Sequence, residues 1–151
     1  AMPAPKQSPD NPDDDFVKEL LLRSRIIAMP GLSPRPFRPS HRVAFAMQGY
    51  GYRVIPVRPG AVEILGEVAV SGLDRIGAVL EDGESVDIVD VFRAPQHVDA
   101  IVTECLRLRP RALWLQEGVV NPGAAARARA AGIATIMDRC ILKERARLLA
   151  S

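Results

Sequence analysis

Apolar positions along this chain follow two rhythms. Short apolar or β-branched runs fall at 25–29, 53–57, 86–92, 112–115 and 133–137, and each predicts a strand. Between them, apolar residues recur at three- to four-residue spacing, which predicts helices from Asp15 (Phe16, Leu20, Leu21), over 41–49, 95–108 and 122–131, and from about 141 to 149. The boundaries carry their own chemistry. One of the three aspartates before Phe16 and, further on, Ser40 suit N-caps, and Pro95 suits a first helical turn. Pro30-Gly31, Gly49 or Gly51, Pro59-Gly60 and Gly132 mark ends. Residues 61–72 predict an irregular crossover with a brief strand at Val68–Val70, and Leu73 to Leu80 a short helix. Pro56 cannot donate to a ladder, so its N–H side must face a bulge or the strand's end. Strands alternating with helices imply right-handed βαβ units. The expected fold is a single Rossmann-like, doubly wound α/β domain over 15–151, with a mostly parallel five-stranded sheet. The proline-rich segment 1–14 is expected to be a disordered tail.

Composition narrows the function classes. At 151 residues the chain can bury a real core, and 48% hydrophobic with 25% charged residues is ordinary for a globular protein. A formal charge of +2, with acids interspersed among the bases, argues against a nucleic-acid partner. No apolar run approaches the ~20 residues that span a bilayer. Cys105 and Cys140 form no metal-ligand spacing with each other or with His41 and His97, so no metal is expected. The expectation is a soluble, cytoplasmic protein with no membrane contact.

In a doubly wound sheet the ligand sits outside the carboxyl ends of the strands. That rule selects Gly31-Leu32-Ser33 and Arg38 after the first strand, Val57-Arg58-Pro59 after the second, and Phe92-Arg93 after the third. Gln116-Glu117-Gly118 and Asp138-Arg139-Cys140 follow the last two. Arginine follows four of the five strands, which makes a cationic rim. Three arginines (Arg35, Arg38, Arg42) within eight residues favour an anionic ligand at a helix N-terminus. The G-x-G-x-x-G spacing is absent, and Pro34, Pro36 and Pro39 stiffen the loop and remove donors. NAD recognition places an acid after the second strand, where this chain has Arg58. A phosphorylated nucleotide fits these residues better than NAD, and NADP stays open on these grounds alone.

The ordered blocks G-L-S-P…R-P-S-H-R-V, G-Y-R-V-I-P-V, E-I-L-G, V-D-I-V-D-V-F-R, A-L-W-L-Q-E-G and M-D-R-C-I, spanning about 25–149, resemble the small bacterial and archaeal CoA-binding proteins. Those proteins are related to the N-terminal domain of the succinyl-CoA synthetase α-subunit. The resemblance implies a non-catalytic module that binds coenzyme A or acyl-CoA in an extended pose across the strand ends. By that analogy Gly31, Leu32, Ser33 and Arg38 hold phosphates with the helix N-terminus at Ser40. Val57 and Arg58 flank the adenosine, Phe92 and Arg93 line the path to pantetheine, and Gln116 lies at the fourth strand end. The chain departs from the family pattern at Arg58, where relatives read V-N-P. It departs again in the helix 41–49, whose Phe45 and Met47, with Tyr50 and Phe37, suggest an apolar patch for a protein partner. Two alternatives accompany the CoA reading. One is a protein-interaction module, natural or engineered, on a CoA-binding scaffold; the other is an enzyme, either an NADP-type oxidoreductase or a CoA-ligase component.

Other reactive residues carry less. His41 is placed to contact ligand but has no catalytic partner; the phosphorylated histidine of succinyl-CoA synthetase belongs to a second domain. Cys140 reads as a small buried residue, with mixed-disulfide or redox chemistry as the sharper alternative. Cys105 and Trp114 read as core. Asp87 and Asp90, three apart in a strand, point to opposite faces, and Asp90 is expected to bond a neighbouring loop or helix N-terminus. Glu117 lacks a nucleophile to activate. The tract 139–147 reads as a solvated helix with Glu144 pairing locally.

Overall fold

The five apolar runs pair side by side in one all-parallel sheet. The structure, a computed structural model, describes residues 10–60 and 62–149. Along the chain these form α1 (Asp14–Arg23), β1 (Ile26–Pro30), α2 (Pro39–Gly49), β2 (Arg53–Val57), β3 (Glu63–Ile64) and β4 (Glu67–Val68). A 3-10 helix (Leu73–Val79), β5 (Ile88–Val91), a 3-10 turn (Pro95–His97), α3 (Val98–Leu108), β6 (Ala112–Leu115), α4 (Pro122–Ala130), β7 (Ala134–Met137) and α5 (Ile141–Leu148) complete it. The sheet order is β2-β1-β5-β6-β7, and β3 and β4 form a separate small hairpin. The Rossmann-like α/β class expected from the pattern is the observed one.

Period-two alternation sorts the core into two layers. Ile26, Ala28, Val89, Val91, Leu113 and Leu115 face α3, α4 and the 3-10 helix. Ile27, Met29, Ile88, Ala112, Trp114 and Ile136 face α1, α2 and α5. All of these strand residues are buried, as expected for a parallel sheet covered on both sides.

Pro56 lies on the edge strand β2, where its carbonyl points outward and accepts from Val70 N at 3.0 Å. Its missing N–H points to the same side, so no ladder bond to β1 is lost. The strand expected at Val68–Val70 is instead the β3–β4 hairpin followed by a lone parallel bridge from Val70 to Val57. The expected tail 1–14 lies outside the described residues up to position 9. Its last residues have defined roles and correct that boundary. Asn11 donates to the Met137 carbonyl at 3.1 Å and accepts from Met137 N at 2.9 Å, so its side chain pairs with the edge strand β7. Asp13 caps α1 by accepting from Phe16 N at 2.9 Å.

The last helix is a second correction. Instead of lying in solvent, α5 packs on α1 and α2 with Ile141 and Glu144 buried. Glu144 does pair locally, with Arg147 at 2.6 Å, and Arg147 reaches Asp14 at 2.8 Å. No described helix is long and apolar enough to cross a membrane.

Candidate functional site

The chain leaves β1 toward α2 on one face and leaves neighbouring β5 toward α3 on the other. Adjacent strands whose connections diverge open a crevice at their carboxyl ends. At its centre stands Gly31, with φ +87°, where a Cβ would lie 2.4 Å from the Phe92 carbonyl oxygen. Both the left-handed backbone and this close approach require glycine. Phe92 N donates to the Pro30 carbonyl at 2.9 Å and Gly31 N to the Val57 carbonyl at 3.1 Å. The exits of β2, β1 and β5 are thereby tied into one ridge.

A cleft lies on each side of that ridge. The larger, about 580 Å³, is lined by Gly31, Ser33, Pro34, Arg35, Arg38, Pro39, Ser40, Arg58 and Phe92. The smaller, about 340 Å³, is lined by Gly31, Val57, Arg58, Pro59, Phe92, Arg93, Ala94 and His97. Neither lining contains a carboxylate among the described residues. Among the described residues, Arg35, Arg38, Arg58 and Arg93 line them without an ion pair, and Arg58 Nε is buried with no hydrogen-bond partner. Several arginines elsewhere are matched to acids, among them Arg53 to Glu67, Arg111 to Asp87 and Arg127 to Asp99, each at 3.1 Å.

The loop between β1 and α2 is held in shape by its own side chains. Ser33 N donates to Ser40 Oγ at 3.0 Å, and Arg35 N to Ser33 Oγ at 3.1 Å. His41 Nδ1 meets the Ser33 carbonyl at 2.9 Å and therefore donates to it. Pro39 occupies the first helical turn, where its missing N–H costs nothing. The helix N-terminus thus faces the larger cleft behind a loop braced by three hydrogen bonds.

Of the residues singled out from the sequence, Gly31, Ser33, Arg38, Ser40, Val57, Arg58, Phe92 and Arg93 line these two clefts. Four expectations need correction. Ser40 is not the N-cap: α2 begins at Pro39, Arg38 takes the cap position, and buried Ser40 braces the loop. Leu32 turns its side chain into the layer beneath α2 and is 1% exposed. Gln116 is buried, and its Oε1 accepts from Ile141 N at 3.0 Å, tying β6 to the start of α5. Met47 is fully buried, so the exposed apolar side chains there are Phe37, Phe45 and Tyr50 alone. Tyr50 is itself covered by Arg145, 4.3 Å above the ring centroid. His97 was missed as a lining residue, because nothing in the sequence marks a histidine in a short 3-10 turn as facing the ridge.

The remaining candidates are structural. Asp87 precedes β5 at the opposite, amino edge of the sheet. It accepts from Arg25 N at 2.8 Å and Ile26 N at 3.0 Å and pairs with Arg111 at 3.1 Å. Asp90 is buried in β5 and, against expectation, neither carboxylate oxygen has a hydrogen-bond partner among the described residues. Burial alone raises its pKa well above the usual carboxylate range. Burial also pushes the Cys105 thiol up to about 12, which makes it unreactive. Cys140 is buried at the head of α5 and lines neither cleft. Glu117 pairs with Lys143 at 2.9 Å, and Trp114 is fully buried, donating from Nε1 to the Arg139 carbonyl at 2.9 Å. Among the described residues no cluster of His, Cys, Asp and Glu could hold a metal ion.

A parallel sheet whose switch point opens onto a cationic cleft defines a Rossmann-like domain. Within that class the chain belongs to the family described as CoA binding domain, whose model matches residues 25–146. It is 44% identical over 131 residues to the uncharacterized protein YneT of Bacillus subtilis (strain 168), covering 87% of this chain and 93% of that protein. The structure of cell-free ID.343 from Thermus thermophilus is similar with a TM-score of 0.82 at 38% identity, over 90% of this chain and 98% of that one. A hypothetical protein from Pyrococcus horikoshii OT3 is similar with a TM-score of 0.84 at 28% identity, over 97% and 99%.

Proposed function

We propose that this protein is a cytoplasmic module that binds coenzyme A, free or acylated, across the carboxyl edge of its sheet without catalysing a reaction. The observation that carries the reading is the pair of clefts about the Gly31–Phe92 ridge, walled by four arginines that no carboxylate among the described residues neutralises. Arginine grips phosphate oxygens through its planar fork, and a helix N-terminus adds backbone donors and a positive dipole end. In this reading the diphosphate lies against Ser33, Arg35, Arg38 and the start of α2. The adenosine lies beside Val57 and Arg58, and pantetheine leaves past Phe92 and Arg93.

The absence of turnover is supported by how the loop uses its reactive groups. The Ser33 hydroxyl accepts from Arg35 N, and His41, its nearest histidine, is turned to the Ser33 carbonyl. A hydroxyl without a base oriented toward it is a poor nucleophile.

The test is thermal unfolding of the full chain with CoA, 3′-dephospho-CoA, NADP and NAD in parallel. Ligand at 100 times its Kd adds about 2.7 kcal/mol of stability. CoA is expected to raise the midpoint and NAD to leave it unchanged. A shift with NADP and none with CoA overturns the reading. Incubation with acetyl-CoA should leave the thioester absorbance at the buffer rate; accelerated loss would make the protein an enzyme.

A second reading rests on the exposure of Phe37, in the loop that walls the larger cleft, and of Phe45 on α2, 67% each. Two open phenylalanines next to a ligand site suit a protein that receives or delivers the ligand. If none of the four nucleotides shifts the midpoint, a binding comparison against Phe45→Glu tests that surface.

A further inference from the structure

Arg58 is, among the described residues, the only charged side chain that lines both clefts. It follows β2 at the position where dinucleotide folds place an acid to accept from a ribose hydroxyl. A guanidinium cannot accept, so the preference at this position is inverted toward a ribose that carries an acceptor-rich group. Among the described residues its Nε is buried with no hydrogen-bond partner, and no acid forms an ion pair with it. A desolvated donor of this kind is held at a cost that an incoming anion removes.

The two clefts also differ in what they would hold. On the α2 side, Arg35, Arg38 and the braced Ser33 loop form one anion-binding wall. On the α3 side, Arg58 borders the smaller cleft with Val57 and Pro59, across the Gly31–Phe92 ridge from that wall. An anion-binding wall with a separate arginine reaching past the ridge matches a ligand whose phosphates sit at two places along its length. Coenzyme A has that form, with a diphosphate linker and a phosphomonoester on the ribose.

Resting on the CoA reading above, we propose that Arg58 reads the 3′-phosphomonoester of coenzyme A and so selects it over 3′-dephospho-CoA, which carries a hydroxyl there. The phosphomonoester offers Arg58 a charge-assisted, bidentate contact that a hydroxyl cannot return. Arg38, on the other side of the ridge, contacts the diphosphate and contributes equally to both ligands.

Isothermal titration of the full chain with CoA and 3′-dephospho-CoA at one fixed salt concentration tests this. The wild type is expected to bind CoA about 10- to 100-fold more tightly, the range of one charge-assisted contact. Arg58→Ala should bring the CoA Kd up to that of 3′-dephospho-CoA while moving the latter little. Arg58→Lys, which keeps charge and loses the fork, should retain part of the preference, and Arg38→Ala should weaken both ligands by the same factor. The wild-type comparison needs no variant to fold. Equal wild-type Kd values within twofold, or a full preference surviving in Arg58→Ala, overturn the role of Arg58 and leave CoA binding standing. No binding of either ligand at millimolar concentration overturns both.

Discussion

At the amino edge of the sheet, Asp87 accepts from two backbone N–H groups and pairs with Arg111, so this acid and this base are used within the fold, at the start of β1, β5 and β6. At the carboxyl edge of the same strands, Arg38, Arg58 and Arg93 stand around two clefts with no acid among the described residues to meet them. The two edges are built from equally buried strands, and the difference lies in what their loops do with charge. One edge closes its electrostatics within the fold. The other leaves them open, and open cationic groups beside a glycine ridge are what an anionic ligand completes.

The largest effect should come from the ridge. Gly31→Ala places a Cβ against main-chain atoms of Phe92 in a backbone conformation that alanine resists. Stability should fall by about 2–5 kcal/mol, the sum of left-handed strain and overpacking, and CoA should no longer raise the midpoint. Thermal unfolding with and without CoA measures both, and an unchanged midpoint would mean that the ridge is not rigid.

Asp87→Ala breaks the opposite edge. Loss of its three contacts should cost about 1–3 kcal/mol in urea unfolding, with CoA affinity unchanged within twofold. A large loss of affinity would show that the two edges are not independent.

Asp90→Asn sharpens the comparison most finely, through pH. Burial raises the folded-state pKa of Asp90 above its unfolded value, so the folded protein holds this proton more tightly. That contribution is complete below the unfolded carboxylate range and is lost as pH rises toward the folded value. The variant cannot titrate there, so its stability relative to wild type should rise between pH 5 and pH 8. Urea midpoints at the two pH values measure it, and an equal difference at both would contradict a buried neutral acid.

The sheet and its cleft-bearing end were legible because apolar runs and strand-end residues are local signals. The stripe Val43, Ala44, Met47 was also legible as the buried face of α2, and grouping Met47 with Phe45 overlooked that helical spacing. Ser40 was displaced from the cap because Pro39 takes the first helical position. Gln116, Leu32 and Asn11 depend on partners or layers set by the tertiary fold, such as Ile141 N for Gln116 and β7 for Asn11. No local pattern carries such contacts. Asp90 broke an otherwise apolar strand visibly, yet only the packed sheet shows that nothing answers it.

The most direct test is a titration of ¹⁵N-labelled protein with coenzyme A, followed by amide chemical shifts. The account predicts that the amides of Gly31, Ser33, Ser40, Arg58 and Arg93 move and saturate together while those of Arg25, Ile26, Asp87 and Arg111 stay in place. Shifts centred on the amino edge, or no saturating shift at any amide, would contradict it.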